Sequence, residues 1–415
     1  MQKNHAQLLE TIKQRLKPDV SVMKEIDAFV SDLNKKIKQK KIKAVCVKGG
    51  SVAKQTFLKN DYDVDLFVKF DVSYKKKNIS ALLKTVLPKT AVMVHGSRDY
   101  FQLHRNLHYE LVPVLHVKNY KEAANVTDMS PLHVGWVLQH VKKNPKLPDE
   151  IRLAKQFCKA NNCYGAESYI RGFSGHILDI LIIYYGSFLA LLKNAQQWNN
   201  KVIIDPEKQL KNPLQELNSA KTESPLIIVD PVQKNRNAAA ALSREKFLLF
   251  KQKAKAFLKK PSEKYFQIIT FTEEKIQKKY EKKKKNHQLI MLKIEPVDGK
   301  KDVVGSKILK VFEYLDAEMK KKEFAVEGKN WQFEPALIYF LVKKEKLSHT
   351  LYLPGPPLHM TSDVLKFKKK HKKTIIKNKR IFAVEKRKYK DAKSFITDAI
   401  KNSYVKEKVK KISLA

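Results

Sequence analysis

Lys48–Phe70, KGGSVAKQTFLKNDYDVDLFVKF, is the stretch whose reading decides the fold. The run before it, Ala44-Val45-Cys46-Val47, has the length and β-branching of a buried strand. Gly49 and Gly50 break that run, Ser51 is placed as a helix cap, and Val52 to Leu58 has helical spacing. The Asn60-Asp61 turn leads into a second strand, Val64 to Phe70. Asp63 and Asp65 stand at its mouth two residues apart, so a strand projects both carboxylates from one face.

Two carboxylates held that close repel each other unless a cation or a proton lies between them. Hard oxygen ligands suit Mg²⁺, which shares its shell with waters and substrate phosphates. The glycine turn supplies the complement: without a Cβ at Gly49 and Gly50 the backbone can approach a phosphate, and the adjoining helix N-terminus offers free N–H groups. An acidic turn after an ordinary strand–helix unit would explain either half alone. Both halves in this order favour an anion gripped beside a metal. The segment is no P-loop, because GGSVAKQT lacks the Gly-Lys-Ser/Thr ending. A further strand, Leu107 to Val117, carries Glu110 among apolar neighbours. Such an acid is usually a snorkelling edge residue, but a site of this kind needs a third anionic ligand from a neighbouring strand.

Gly50-Ser51 followed by Asp63-Val64-Asp65 resembles the signature of the DNA polymerase beta-like nucleotidyltransferases, which fixes the reaction and not the substrate. In that superfamily the third carboxylate lies on a later strand, often before an apolar pair and proline, as in Glu110-Leu111-Val112-Pro113. This chain has Glu where close relatives usually have Asp, and the extra methylene lengthens the reach by about one C–C bond.

The 415 residues have room for two to four domains. With 84 Lys and Arg against 42 Asp and Glu, the net charge of +42 predicts a polyanionic partner, nucleic acid first. An anionic membrane is the weaker reading, for want of a basic amphipathic helix or lipidation signal; lysine enrichment of the source proteome could supply part of the excess. Ile177 to Leu192 is the most apolar stretch, but Asp179 and the Gly186-Ser187 break leave it too short to span a bilayer, so it reads as a buried helix. Cys46, Cys158 and Cys163 form no CxxC pair and read as buried thiols of a cytoplasmic protein.

Residues 1–40 give two helices, the second with Val22, Ile26, Phe29, Leu33 and Ile37 along one face. Residues 128–258 are mostly helical, with Ser130 and Pro131 placed as N-cap and N1, and IIVDPVQKNRNAAAALS running through a turn into an alanine-rich helix. Residues 259–415 are lysine-rich, yet strand patterns at Leu289–Ile294, Ala336–Val342 and Ile381–Val384 alternate with helical runs, so a folded β-α-β-β-α-β-like basic platform is expected rather than a disordered tail.

The middle blocks SPLHVGW, RLAKQFCKANNCYGAE, IRGFSGHILDILIIYYGSFL and VDPVQKNRNAAAALS together resemble the archaeal-type (class I) CCA-adding enzymes, with weaker similarity at LPGPP (Leu353–Pro357) and FAVE (Phe382–Glu385). The resemblance implies an α+β multidomain protein: a polymerase beta-like palm sheet with helices in a catalytic head (1–127), a helical nucleotide-binding neck (128–258), and an α/β basic body and tail (259–415) that grip the acceptor arm of tRNA. It implies template-independent CCA addition from CTP and ATP by two-metal transfer with Mg²⁺ and release of pyrophosphate. Asp63 and Asp65 would hold both ions, Glu110 the one beside the RNA 3′-hydroxyl, and Gly50 and Ser51 the triphosphate oxygens, with Lys54 a nearby positive charge. By the same resemblance Ser130, His133, Lys155 and Tyr164 complete the triphosphate grip and Arg236 reads the base edge. On composition alone the bland readings would win: His133 a satisfied core histidine, Lys155 a surface charge, Tyr164 a packing aromatic and Arg236 a structural ion pair. A poly(A)-type polymerase and a catalytically dead RNA-binding protein are the competing readings; a homodimer is left open.

Overall fold

A computed structural model describes residues 2–59, 61, 63–269 and 271–415. Asn60, half of the expected turn before the Asp63 strand, lies outside the described residues. The chain forms two compact units, Met1–Ile268 and Ile269–Ala415.

The first unit opens with α1 (Gln2–Leu16) and α2 (Val20–Gln39), then β1 (Ala44–Lys48), α3 (Gly50–Ala53), β2 (Asp63–Phe70), α4 (Ile79–Lys84), β3 (Val92–Val94), β4 (Tyr100–His104) and β5 (His108–Leu115). The five strands make one sheet in the order β1-β2-β5-β4-β3, with β2 and β5 parallel and the other pairs antiparallel. Period-2 alternation along β2 buries Val64, Leu66 and Val68 and turns Asp63 and Asp65 to the other face. Ile26, Leu33 and Ile37 of α2 join that core, with Val22 and Phe29 packed at its margin.

A helical layer comes next: α5 (Ser130–Lys143), α6 (Leu147–Ala160), α7 (Gly175–Tyr185), α8 (Phe188–Gln196), β6 (Val202–Ile204), α9 (Pro213–Glu216), β7 (Leu226–Ile228) and α10 (Arg244–Lys259). Its core is separate, built on Phe157, Phe173, Phe188, Phe250 and Phe257, and it takes in Leu9 and Ile12 of α1. The apolar stretch at 177–192 is two helices, α7 and α8, bent by 90° at Gly186-Ser187. Gly186 adopts φ 84° as the left-handed C-cap and the Ser187 side chain caps α8. No single helix among the described residues is long and apolar enough to cross a membrane.

Three local expectations are corrected. The helix after the glycines is one turn, not Val52–Leu58: Gln55 sits at φ 56°, and α6 binds the loop beyond it through Arg152 to the Gln55 carbonyl and Lys155 to the Thr56 carbonyl at 3.1 Å. Ser130 is not an N-cap, because α5 is entered through a 3₁₀ turn, Val126–Met129, whose capping box is Asn125 with Asp128. The alanines at 238–241 form turns instead of a helix. Asn237 Oδ1 accepts from Ile228 N (2.9 Å) and Ala239 N (2.8 Å), tying the segment to β7, and α10 starts only after Ser243 caps it.

The second unit contains α11 (Glu273–Tyr280), β8 (His287–Pro296), α12 (Lys301–Lys321), β9 (Val326–Gln332), β10 (Leu337–Lys343), β11 (Thr350–Pro357), α13 (Thr361–Lys370), β12 (Thr374–Lys377), β13 (Arg380–Lys386), α14 (Ala392–Ala399), α15 (Ser403–Lys406) and β14 (Val409–Leu414). Instead of one platform it has two sheets, β14-β8-β10-β9 and β11-β13-β12. The chain leaves the first sheet after β10 and returns to its edge with β14. The prolines at 354, 356 and 357 put β11 on an edge, where missing N–H donors are tolerated, and its register shifts between Pro354 and Pro357.

Candidate active site

The parallel pairing of β2 with β5 sets Asp65 opposite Glu110, with Asp63 one pleat away on the same face. Glu110 is in turn paired across β4, where Gln102 Nε2 donates to its Oε1 at 2.8 Å and fixes the carboxylate's direction. The turn between β1 and β2 closes over them: Gly49 N–H bonds the Asp65 carbonyl at 2.8 Å. Gly50 takes φ +44°, and a Cβ there would lie 1.7 Å from Asp65 Oδ2. That residue is therefore glycine for two reasons, its left-handed backbone and the carboxylate lying against it. Burial, then the Glu110 charge, pushes the Asp65 carboxyl up to about 6. Three acids gathered this way are an oxygen-donor set short of positive charge.

The helical layer brings cations to the same place. Lys54 and Lys155 are both buried, and Lys54 pairs with the fully buried Asp179 of α7. Lys155 donates to Thr56 Oγ1 at 2.9 Å, and burial lowers its ammonium to about 8. Lys159 pairs with Asp61 at 2.5 Å and lies 5.1 Å over the Tyr164 ring. Burial raises the Tyr164 phenol far above its usual range. A cavity of about 390 Å³ is lined by these side chains together with Gly50, Ser51 and the three acids.

A larger cleft of about 850 Å³ shares Gly50, Lys54, Asp65 and Glu110 with it and extends to Ser130, His133 and Arg236. All eleven residues singled out from the sequence line one or both cavities. Lys54 lines both, with its ammonium paired to Asp179.

Sequence reasoning missed Asp179, Asp230, His176 and Arg98. Asp179 was legible as an acid inside an apolar helix, a sign of a buried partner. Asp230 gave less: an acid before a proline reads as a turn. It is fully buried and accepts from His133 Nε2 at 3.0 Å and Arg236 Nη1 at 2.7 Å. Arg98 pairs with buried Asp128 and lines the larger cleft, with nothing local to mark it.

Residues 149–267 match the family described as tRNA nucleotidyltransferase, second domain, and residues 287–412 that described as CCA-adding enzyme, C-terminal domain. The CCA-adding enzyme of Nanoarchaeum equitans is 35% identical over 337 residues, covering 79% of this chain and 80% of that one. That of Pyrococcus abyssi is 31% identical over 367 residues, covering 85% and 78%. Among solved structures, a cytoplasmic RNA terminal U-transferase (TM-score 0.52) and the Cid1 poly(U) polymerase (TM-score 0.53) are each 14% identical and cover 65% of this chain and all of theirs. That likeness shows the fold, an α+β nucleotidyltransferase of several domains. On the identity to the curated relatives, which runs through most of both chains, this chain belongs to the archaeal-type CCA-adding enzymes, the class I tRNA nucleotidyltransferases.

Proposed function

We propose that this chain completes the 3′ end of tRNA without a template, adding CCA from CTP and ATP by nucleotidyl transfer. The observation that carries the reading is the strand register: Asp65 opposite Glu110, with Gly50 turned onto the Asp65 carboxylate at the junction of two cavities. The donor set fits divalent ions, since three carboxylates, one pushed up to about 6, need a positive charge among them. Asp63 and Asp65 would hold two Mg²⁺, and Glu110 the one nearer the RNA end. When bound, the ions supply a lowered pKa at the attacking 3′-hydroxyl and charge neutralisation at the leaving pyrophosphate.

The chain's own residues do the rest. Gly50 N–H and Ser51 hold triphosphate oxygens. Lys155, a buried ammonium fixed by Thr56, adds charge to that grip with Tyr164 beside it, and Lys54 acts at longer range from its pair with Asp179. Ser130, His133 and Arg236 receive the nucleoside end in the larger cleft, Arg236 at the base edge. The head is taken as residues 1–127, with α1 seated on the neck's core, and the neck as residues 128–258. The lysine-rich remainder binds the acceptor arm. Three buried free thiols suit a reducing cytoplasm. A homodimer is a separate question, decided by sedimentation at working concentration.

The test is the product ladder on tRNA lacking its CCA end. CTP and ATP together should give three added nucleotides and stop. A ladder from ATP alone would indicate a poly(A)-type enzyme, and no extension with retained RNA binding a dead one.

A further inference from the structure

One buried carboxylate gathers, from three separate elements, side chains that line the larger cleft. Asp230 comes just after β7 and is fully buried. Its Oδ1 accepts the backbone N–H of Val232 (3.0 Å) and Gln233 (3.2 Å), and its own N–H reaches the Arg236 carbonyl (3.0 Å), so the loop closes on itself. Its Oδ2 meets His133 Nε2 of α5 at 3.0 Å, His176 Nε2 of α7 at 3.4 Å and Arg236 Nη1 at 2.7 Å. His133, His176 and Arg236 line the cleft. Burial alone would raise the Asp230 carboxyl, but hydrogen bonds from the two histidines outweigh it and hold it well below the usual range.

His133, His176 and Asp230 also offer three ligand atoms within 4.8 Å of one another, the kind of set a zinc ion takes. Arg236 argues against that: its guanidinium occupies Oδ2 and lies 3.5 Å from His133 Nε2, where a dication would have to displace it. Among the described residues, His176 Nδ1 is buried without a hydrogen-bond partner. Metal on Nε2 would force the proton onto Nδ1 and leave a buried N–H orphaned, rarer in proteins than a bare acceptor. Donation from Nε2 to Asp230 avoids it.

We infer that Asp230 is the positioning residue for base selection: it aims the Arg236 fork, with His133 and His176 held around the same oxygen, at the incoming base. The inference rests on Arg236 reading that base. A guanidinium has donors only. Cytosine N3 and adenine N1 are acceptors, whereas uracil N3 and guanine N1 carry hydrogens, so a donor fork fixed at that edge admits C and A and rejects U and G. The fork has to be fixed to do so. The Arg236 side chain is 42% exposed and rich in rotamers, so its bond to Asp230 is what holds it in one of them.

The experiment is a double-mutant cycle read as the ratio of kcat/KM for CTP over UTP and for ATP over GTP, on CCA-lacking tRNA. Asp230→Asn should lower both ratios by roughly ten- to a hundredfold, the factor carried by one hydrogen bond to a charged group. Arg236→Ala should lower them at least as far, and the double variant no further, because both changes break one device. Additive losses in the double variant would overturn the inference. So would parental ratios in Asp230→Asn beside degraded ratios in Arg236→Ala, an outcome that leaves the base-reading role standing. Parental ratios in Arg236→Ala would remove that role and the inference with it. Asp230→Glu keeps the charge and moves the carboxylate by about one C–C bond; should the Asn variant not fold, its ratios decide, a fall supporting the positioning role and parental values overturning it.

Discussion

The cleft of the first unit and the surface of the second use charge in opposite ways. In the cleft the charged groups are few, individually placed and mostly enclosed: Asp65 against Gly50, Lys54 on Asp179, and Asp230 beneath the half-exposed Arg236. In the second unit they are many, mostly exposed and mostly alike, with 38 Lys and Arg against 18 Asp and Glu from residue 269 onward. Enclosed charges act at low effective dielectric, where one group can be worth several kcal/mol; exposed ones act through a screened field in which each is worth little. Substitutions in the cleft should therefore cost rate steeply and one at a time. Those on the basic surface should cost RNA affinity gradually and in a salt-dependent way.

The largest effect is expected at Asp65. Asp65→Asn keeps the shape and removes one anionic ligand, and loss of several kcal/mol of charge stabilisation corresponds to a fall in kcat on the order of a thousandfold or more. RNA affinity should stay near parental, as read by single-turnover incorporation beside a binding titration. Near-parental turnover would sink the assignment. Gly50→Ala comes next. Its Cβ cannot share space with Asp65 Oδ2, so the carboxylate or the turn must move, and a misplacement of about 1 Å costs about a hundredfold.

Glu110 sharpens the comparison, because strand glutamates also occur as mere edge residues. As a ligand fixed by Gln102, it should lose about a hundredfold in kcat as Glu110→Gln and clearly less as Glu110→Asp. Equal, small effects would return it to an edge role.

Lys155 brings pH into the same contrast. Burial lowers its ammonium to about 8, so the free enzyme loses that positive charge as pH rises through about 8. The triphosphate grip should weaken with it, and kcat/KM for the nucleotide should bend downward above that pH, toward a tenfold loss per unit. Lys155→Arg stays charged throughout. Its profile should lack that bend, even if its level is lower. An identical bend in both would assign the titration to another group.

How much of this was legible in the sequence depends on the range of each interaction. The β2 strand, the Asp63/Asp65 pair and the glycine turn were legible because period-2 spacing and the need for φ > 0 act over a few residues. So were α2, α6 and the strand bearing Glu110. The helix expected at Val52–Leu58 was cut short by Arg152 and Lys155, about a hundred residues away, which claim the loop carbonyls. The alanine run failed as a helix for a similar reason: Asn237 ties it to β7. Asp230 matters only through partners brought from other elements, which no local pattern announces; Asp179, an acid inside an apolar helix, signals a buried partner but not which one.

The smallest effect, and the one that tests the other side of the comparison, lies in the tail. From Lys366 to Lys390 there are thirteen Lys and Arg against one acid, Glu385. Lys368, Lys369 and Lys370 form the last turn of α13, and Lys372 and Lys373 follow its C-cap, His371; all five are exposed. The helix position offers a rival explanation, since cations at a C-terminus stabilise a helix by about 0.3–1 kcal/mol each without touching RNA. Replacing Lys369, Lys372 and Lys373 with Ala takes only one residue from that turn and so separates the two. If these lysines meet tRNA phosphates, each lost contact should flatten the slope of log affinity against log salt by roughly 0.7 to 0.9. The loss should be largely independent of base sequence, as recognition through A-form shape and phosphates requires. Thermal stability and nucleotide KM should barely move, because the nucleotide grip is assigned to residues between Gly50 and Arg236. An unchanged salt slope with lowered stability would make these lysines a helix-end device, and the RNA contacts would then have to be sought among the other cations of the second unit.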